Sequence, residues 1–159
     1  MSTTDNILRD MCRSVCESIE QIELGGNLAK CDYCGEVHDI CDIQGDYTEE
    51  WPDSFAHIED GETVYRCPNC KHELPDSPEP YGAYDWLDGI LDIEYTVNSQ
   101  MEYLGATVCL AWGGPSIYLD TRNHEIRGYW WGDHYTISGV ACAMIDEAIE
   151  EHFRCTIAV

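Results

Sequence analysis

The first two dozen residues carry their apolar side chains at helical spacing. Ile7, Leu8, Met11, Cys12, Val15, Cys16, Ile19 and Ile22 fall on one stripe of "TTDNILRDMCRSVCESIEQIELGG", and mostly polar and charged residues fill the rest. Intervals of three and four place such positions on one face of a helix with 3.6 residues per turn. Ser2 with Asp5, or Thr3 and Thr4, offers a cap at the start, and Gly25-Gly26 marks the end. The pattern predicts an amphipathic helix of about five turns. Cys12 and Cys16 sit one turn apart on its apolar stripe, where packing explains them better than metal ligation.

A period of two takes over in the second half. In "LDIEYTV", Leu91, Ile93, Tyr95 and Val97 face one way and Asp92, Glu94 and Thr96 the other, as in a strand with one covered face. "YLGATVCLAW" is apolar on both faces, as a central strand would be. "GGP", residues 113–115, turns the chain into "SIYLD", and "TRNHE" turns it again into "IRGYWW". "SGVACAMIDEAIEEHF" returns to helical spacing, with Ser138 as a candidate cap. Four strands followed by a helix predict an antiparallel meander covered on one face by that helix. The expected fold class is α+β: an N-terminal helix over 1–26, a metal module over 27–74, a linker over 75–82, and an acidic ββββα domain over 83–159. The linker rests on "LPDSPEPYG", which holds three prolines in nine residues.

Two matched turns interrupt these periodic segments. "KCDYCGE" and "RCPNCKHE" supply Cys31-x-x-Cys34 and Cys67-x-x-Cys70, separated by 32 residues. A two-residue spacing lets both thiolates of a tight turn point at one ion, and two such turns complete a tetrahedron. Gly35 suits the left-handed exit of the first turn, and Pro68 pre-sets the second. The gap is longer than usual, but each doubling of a loop costs only about 0.6 kcal/mol. The chain has two lysines, Lys30 and Lys71, and both flank a knuckle, as does Arg66. Cations there offset the net negative charge of four thiolates on one divalent ion. The expected cofactor is one structural Zn²⁺ on Cys31, Cys34, Cys67 and Cys70, with His38, Cys41, His57 and His72 as possible substitute ligands. Four cysteine ligands leave no open position for catalysis, and two matched pairs do not fit a thioredoxin-like redox motif.

Charge changes the picture of partners. The 159 residues include 31 acids and 8 bases, a net charge of −23. Residues 1–80 hold 19 acids and 5 bases, and residues 81–159 hold 12 and 3, so both halves are acidic. Affinity for nucleic acid comes largely from Lys and Arg displacing counterions, so direct contact with DNA or RNA is disfavoured and a basic protein partner favoured. An apolar content of 44% fits a folded chain. No apolar run reaches the roughly 20 residues of a membrane span, and "MSTTDNILRDM" lacks the order of a secretory leader. A soluble, cytosolic protein is expected, with Cys12, Cys16, Cys41, Cys109, Cys142 and Cys155 reduced.

Acids gather in two sets, Asp85, Asp88, Asp92 and Glu94, then Asp146, Glu147, Glu150 and Glu151. Solvation or salt adaptation accounts for such sets, and so does mimicry of the evenly spaced phosphates of duplex DNA. "GYWWGDHY" adds Tyr129 and Trp131, placed by alternation on the face opposite Ile126 and Trp130. Asp133-His134 beside Cys109 or Cys142 makes a nucleophilic set of very low specificity, and nothing resembles a phosphate-cradling loop. No enzyme is expected.

"CDYCG" and "CPNC" resemble the knuckles of zinc ribbons, which implies a β-hairpin fold around the metal and says nothing about activity. Residues 85–153 resemble small proteins carried on phages and conjugative elements of gut bacteria. With its acidity, the whole chain is similar in style to anti-restriction and anti-CRISPR inhibitors, which bind a nuclease instead of catalysing a reaction. The resemblance implies a DNA- or RNA-guided host nuclease as partner, with its basic channel blocked against DNA loading. The partner-binding residues expected are the two acidic sets with Tyr129 and Trp131. The alternative is a zinc-ribbon adaptor or regulatory subunit without DNA mimicry.

Overall fold

A computed structural model describes residues 3–24, 28–39, 56–59, 61–67, 69–74 and 81–157. Ser2, Gly25-Gly26, Cys41 and most of the Pro-rich stretch lie outside the described residues. The elements run α1 (Thr3–Glu23), β1 (Leu28–Lys30), β2 (Val37–Asp39), β3 (Ala56–Glu59), β4 (Glu62–Arg66), β5 (Glu73–Leu74) and α2 (Ala83–Asp88). They continue with β6 (Asp92–Val97), β7 (Tyr103–Ala111), β8 (Ser116–Asp120), β9 (Glu125–Trp130), β10 (Asp133–Ser138) and α3 (Ala143–Ile157). Two compact units result, one of residues Met1–Leu24 with Ala83–Val159, the other of Gly25–Gly82.

The larger unit is α+β. Its sheet is an antiparallel meander in the order β10-β9-β8-β7-β6. Five strands stand where the apolar pattern predicts four, because "DHYTIS" forms β10 against β9. The charged and polar residues of β10 hide its alternation, and Asp133, Tyr135 and Ile137 are the half-buried positions that mark its inner face.

Register explains which side is covered. Ile93 pairs Val108, Val108 pairs Leu119, Leu119 pairs Ile126 and Ile126 pairs Ile137, so one apolar row crosses the whole sheet. Paired residues share a face, and this face meets the helices. Helix α1 packs on β9 and β10 through Leu8, Cys12, Ile19 and Ile22, all buried. Helix α3 packs on β7 and buries Ile145, Ala148, Ile149 and Phe153.

Gly128 on β9 permits this fit: a Cβ there would lie 2.6 Å from Cys12 Sγ and 2.8 Å from Leu8 Cδ1. The spacing-based reading of Cys12 as a packing residue agrees with that contact.

Ser138 does not cap α3. It ends β10, and the helix begins five residues later. The first-turn N–H groups of Met144 and Ile145 instead donate to Glu23 Oε1 at 2.7 and 3.4 Å, so the end of α1 caps α3.

On the open face, Asp120 organises the turn between β8 and β9. Its carboxylate accepts from the Asn123 N–H, the Asn123 amide and Arg127 at 2.8–2.9 Å. Burial alone would raise the Asp120 pKa, but the Asn123 hydrogen bonds and the Arg127 charge outweigh it and hold the group below its ordinary value.

Candidate metal centre and acidic surface

In the smaller unit, two hairpins present the two knuckles. β1 pairs β2 around Cys31–Cys34, and β4 pairs β5 around Cys67–Cys70, with β3 flanking β4. The backbone repeats itself. Cys31 N–H donates to the Glu36 carbonyl and Gly35 N–H to the Cys31 carbonyl, each at 2.8 Å. Cys67 N–H donates to the His72 carbonyl at 2.9 Å and Lys71 N–H to the Cys67 carbonyl at 2.8 Å. Lys71 thus occupies the place of Gly35, and both have positive φ, 62° and 77°.

All four Sγ atoms lie within 4.8 Å of one another. Cys31 and Cys70 are 3.7 Å apart and Cys34 and Cys67 are 3.6 Å apart, each contact joining one knuckle to the other. Metal–sulfur bonds of about 2.3 Å at tetrahedral angles require edges of about 3.8 Å, so the four sulfurs fit one ion. The cluster can hold one metal ion; Cys41 and the side chains of His38 and His57 lie outside the described residues, and the described substitute, His72, is not part of the cluster. His72 stacks on Tyr33 instead, with ring centroids 4.6 Å apart and planes 10° from parallel.

Local electrostatics prepare the thiols unequally. A hydrogen bond from the Glu36 N–H lowers the Cys34 thiol to about 7, whereas burial pushes Cys67 up to about 12. Arg66 donates to the Lys71 carbonyl at 3.3 Å and so braces the second knuckle. Lys30 lies 5.9 Å from the centre of the Tyr81 ring, and Tyr81 N–H donates to the Leu28 carbonyl, which ties the end of the Pro-rich stretch to β1.

The acidic residues singled out by sequence occupy three places in the larger unit. Asp85 and Asp88 are exposed on α2, which packs against α3, where Glu147 and Glu151 are exposed. Tyr84 donates to Glu151 and ties these helices together. Asp92 and Glu94 are exposed on edge strand β6, on the open face of the sheet, because Ile93 between them joins the covered row. Asp146 and Glu150 are half-buried. Asp146 accepts from the Tyr103 hydroxyl at 2.6 Å and Glu150 from Arg154 at 2.5 Å. Tyr129 stands on the open face of β9, beside Tyr118, whereas Trp131 leaves the strand altogether and sits in the turn to β10.

Cys109 and His134 are not neighbours, since β8 and β9 separate their strands. Cys142 lies 3.6 Å from His124, and burial pushes its thiol up to about 11, away from a nucleophilic thiolate. No helix among the described residues is long and apolar enough to cross a membrane.

An acidic α+β unit and a four-cysteine cluster able to hold one metal ion therefore define the chain. Comparison with protein-family models, curated proteins and solved structures returns no significant match, so no relative lends it a function.

Proposed function

We propose that this chain is a zinc-stapled acidic protein that acts by binding, without catalysis. In this reading it occupies the basic nucleic-acid channel of a host defence nuclease in the bacterial cytosol and blocks DNA loading. The carrying observation is the exposure of Asp85, Asp88, Asp92, Glu94, Glu147 and Glu151 on regular elements. Hydrogen bonds anchor those elements: Tyr84 to Glu151, Tyr103 to Asp146, and Tyr95 to His152 Nδ1 at 2.5 Å. Carboxylates held this way keep fixed spacings, which a charge mimic needs and a solvating tail does not.

Zinc is the ion of choice for a closed tetrahedral site of four thiolates. It would contribute folding energy to a segment of short strands, because the ligands converge only in the folded state.

The test is DNA loading by purified restriction and RNA-guided nucleases, followed by fluorescence anisotropy with and without this protein. Competition with duplex DNA should weaken steeply as salt rises, and the combined variant Glu147→Gln, Glu151→Gln, Asp85→Asn should compete less. Undiminished loading across the panel would sink the inhibitor reading.

A second reading, an adaptor that docks through its aromatic end, is favoured by Trp131, which is 88% exposed. It predicts little salt dependence and no competition with DNA.

A further inference from the structure

One end of the sheet exposes large aromatic rings while the opposite face buries apolar side chains tightly. Trp112 is 72%, Tyr129 48% and Trp131 88% exposed. Beside them opens a cleft of about 580 Å³, between the turn joining β7 to β8 and the turn joining β9 to β10. Tyr129, Trp130, Trp131, Asp133 and His134 contribute to its lining, and neither lysine nor arginine does.

The backbone favours this display at a cost. β9 and β10 are joined by only Trp131 and Gly132, with φ of 51° and 90°. Two positive φ values in a two-residue connection mark a type I′ turn, whose first position ordinarily takes Asn, Asp or Gly. A bulky tryptophan there is conformationally disfavoured, and such outliers concentrate at functional positions. Holding Trp131 at this position projects its ring beyond the strand ends. Across the cleft, the turn from β7 brings Gly114 to the indole edge of Trp130, where a Cβ would lie 3.4 Å from Nε1.

We infer that this cleft receives a cationic side chain, an arginine of a basic partner. Aromatic faces attract cations, and the planar guanidinium also stacks on them. Asp133 supplies a carboxylate at the cleft, opposite Trp130 across the strand pair. The net charge of −23 draws cations to the whole surface and repels anionic ligands. The inference rests on the reading that the partner is basic, and it adds the residue type that the aromatic end recognises.

A small probe separates it from the nuclease question. Nα-acetyl-arginine amide is titrated into the intact chain at about 0.15 M salt, where exposed charges more than about 8 Å apart are largely screened. The indole N–H signals of Trp130 and Trp131 are followed by NMR, with neutral Nα-acetyl-citrulline amide as the isosteric control. The arginine probe should shift both signals saturably and bind about twofold to fivefold tighter than citrulline, the range an exposed cation–π contact supplies.

Trp131→Ala and Asp133→Asn should each weaken the arginine probe by about threefold or more. Both positions are at the surface end of the sheet, and unchanged backbone amide spectra would confirm that the variants fold. Equal affinity for citrulline, absence of shifts, or saturable shifts with a neutral disaccharide in place of arginine would each overturn the inference. Failure here leaves the DNA-loading assay intact, because that assay reads the acidic elements and uses no arginine probe.

Discussion

At the scale of single residues, two positions in the knuckles do the same job with unequal ease. Gly35 adopts its φ of 77° freely, whereas Lys71 holds 62° with a full side chain. A left-handed conformation costs an ordinary residue roughly 1–2 kcal/mol, partly offset by the flexibility that glycine adds to the unfolded chain. Lys71→Gly should therefore raise stability by up to about 1 kcal/mol and Gly35→Ala should lower it by about 1 kcal/mol, as read from urea midpoints of the metal-loaded protein. The sequence made Gly35 legible as a turn residue but hid Lys71, because its flanking charge explained it well enough.

Asp120 carries a prediction with a pH signature. Its folded pKa lies below its ordinary value, so its ionised form stabilises the fold above the unfolded pKa. That contribution is lost as pH falls through about 4 and below. Asp120→Asn should cost about 2 kcal/mol at pH 7 and progressively less as pH falls below the unfolded carboxyl's value near 4, measured by urea unfolding across that range. No apolar pattern could mark Asp120, since its meaning comes from Asn123 and Arg127 meeting it across a turn.

At the scale of elements, strict alternation in β6 and helical spacing in α1 were readable because each element buries one face. β10 was not, and its polar residues pair with β9 through backbone bonds that leave no trace in composition. The start of α3 was misplaced for a related reason. Ser138 looks like a cap locally, but Glu23, distant in sequence, takes the helix N–H groups. Long-range partners of this kind are invisible to spacing.

The fit of α1 on the sheet turns on Gly128. Gly128→Ala should destabilise the larger unit by about 1–3 kcal/mol through overpacking, and Cys12→Ala in the same chain should recover part of that loss. Thermal unfolding of the two single variants and the double variant reads the coupling. Strictly additive losses would mean that α1 and β9 do not meet as described.

At the scale of the whole molecule, the two units differ in the side chains they gather. Four cysteines on two hairpins converge in the smaller unit. Carboxylates and aromatic rings cover the larger one. The four-cysteine cluster and the net acidity were plain in the sequence, because Cys-x-x-Cys spacing and charge need no three-dimensional context. How the acids distribute was not: Asp146 takes the Tyr103 hydroxyl in a part-buried hydrogen bond, Glu150 pairs with Arg154 along the surface of α3, and the exposed remainder falls on two helices and one edge strand. Chelation should strip hydrogen-exchange protection from β1, β2, β4 and β5, while the amides of β7, β8 and β9 stay protected.

Zinc K-edge X-ray absorption on the purified protein, paired with metal analysis, addresses the metal staple most directly. One zinc per chain is predicted, surrounded by four sulfurs at about 2.3 Å, and lost in Cys31→Ser. A folded chain without bound metal, or a zinc shell containing nitrogen or oxygen, would contradict it.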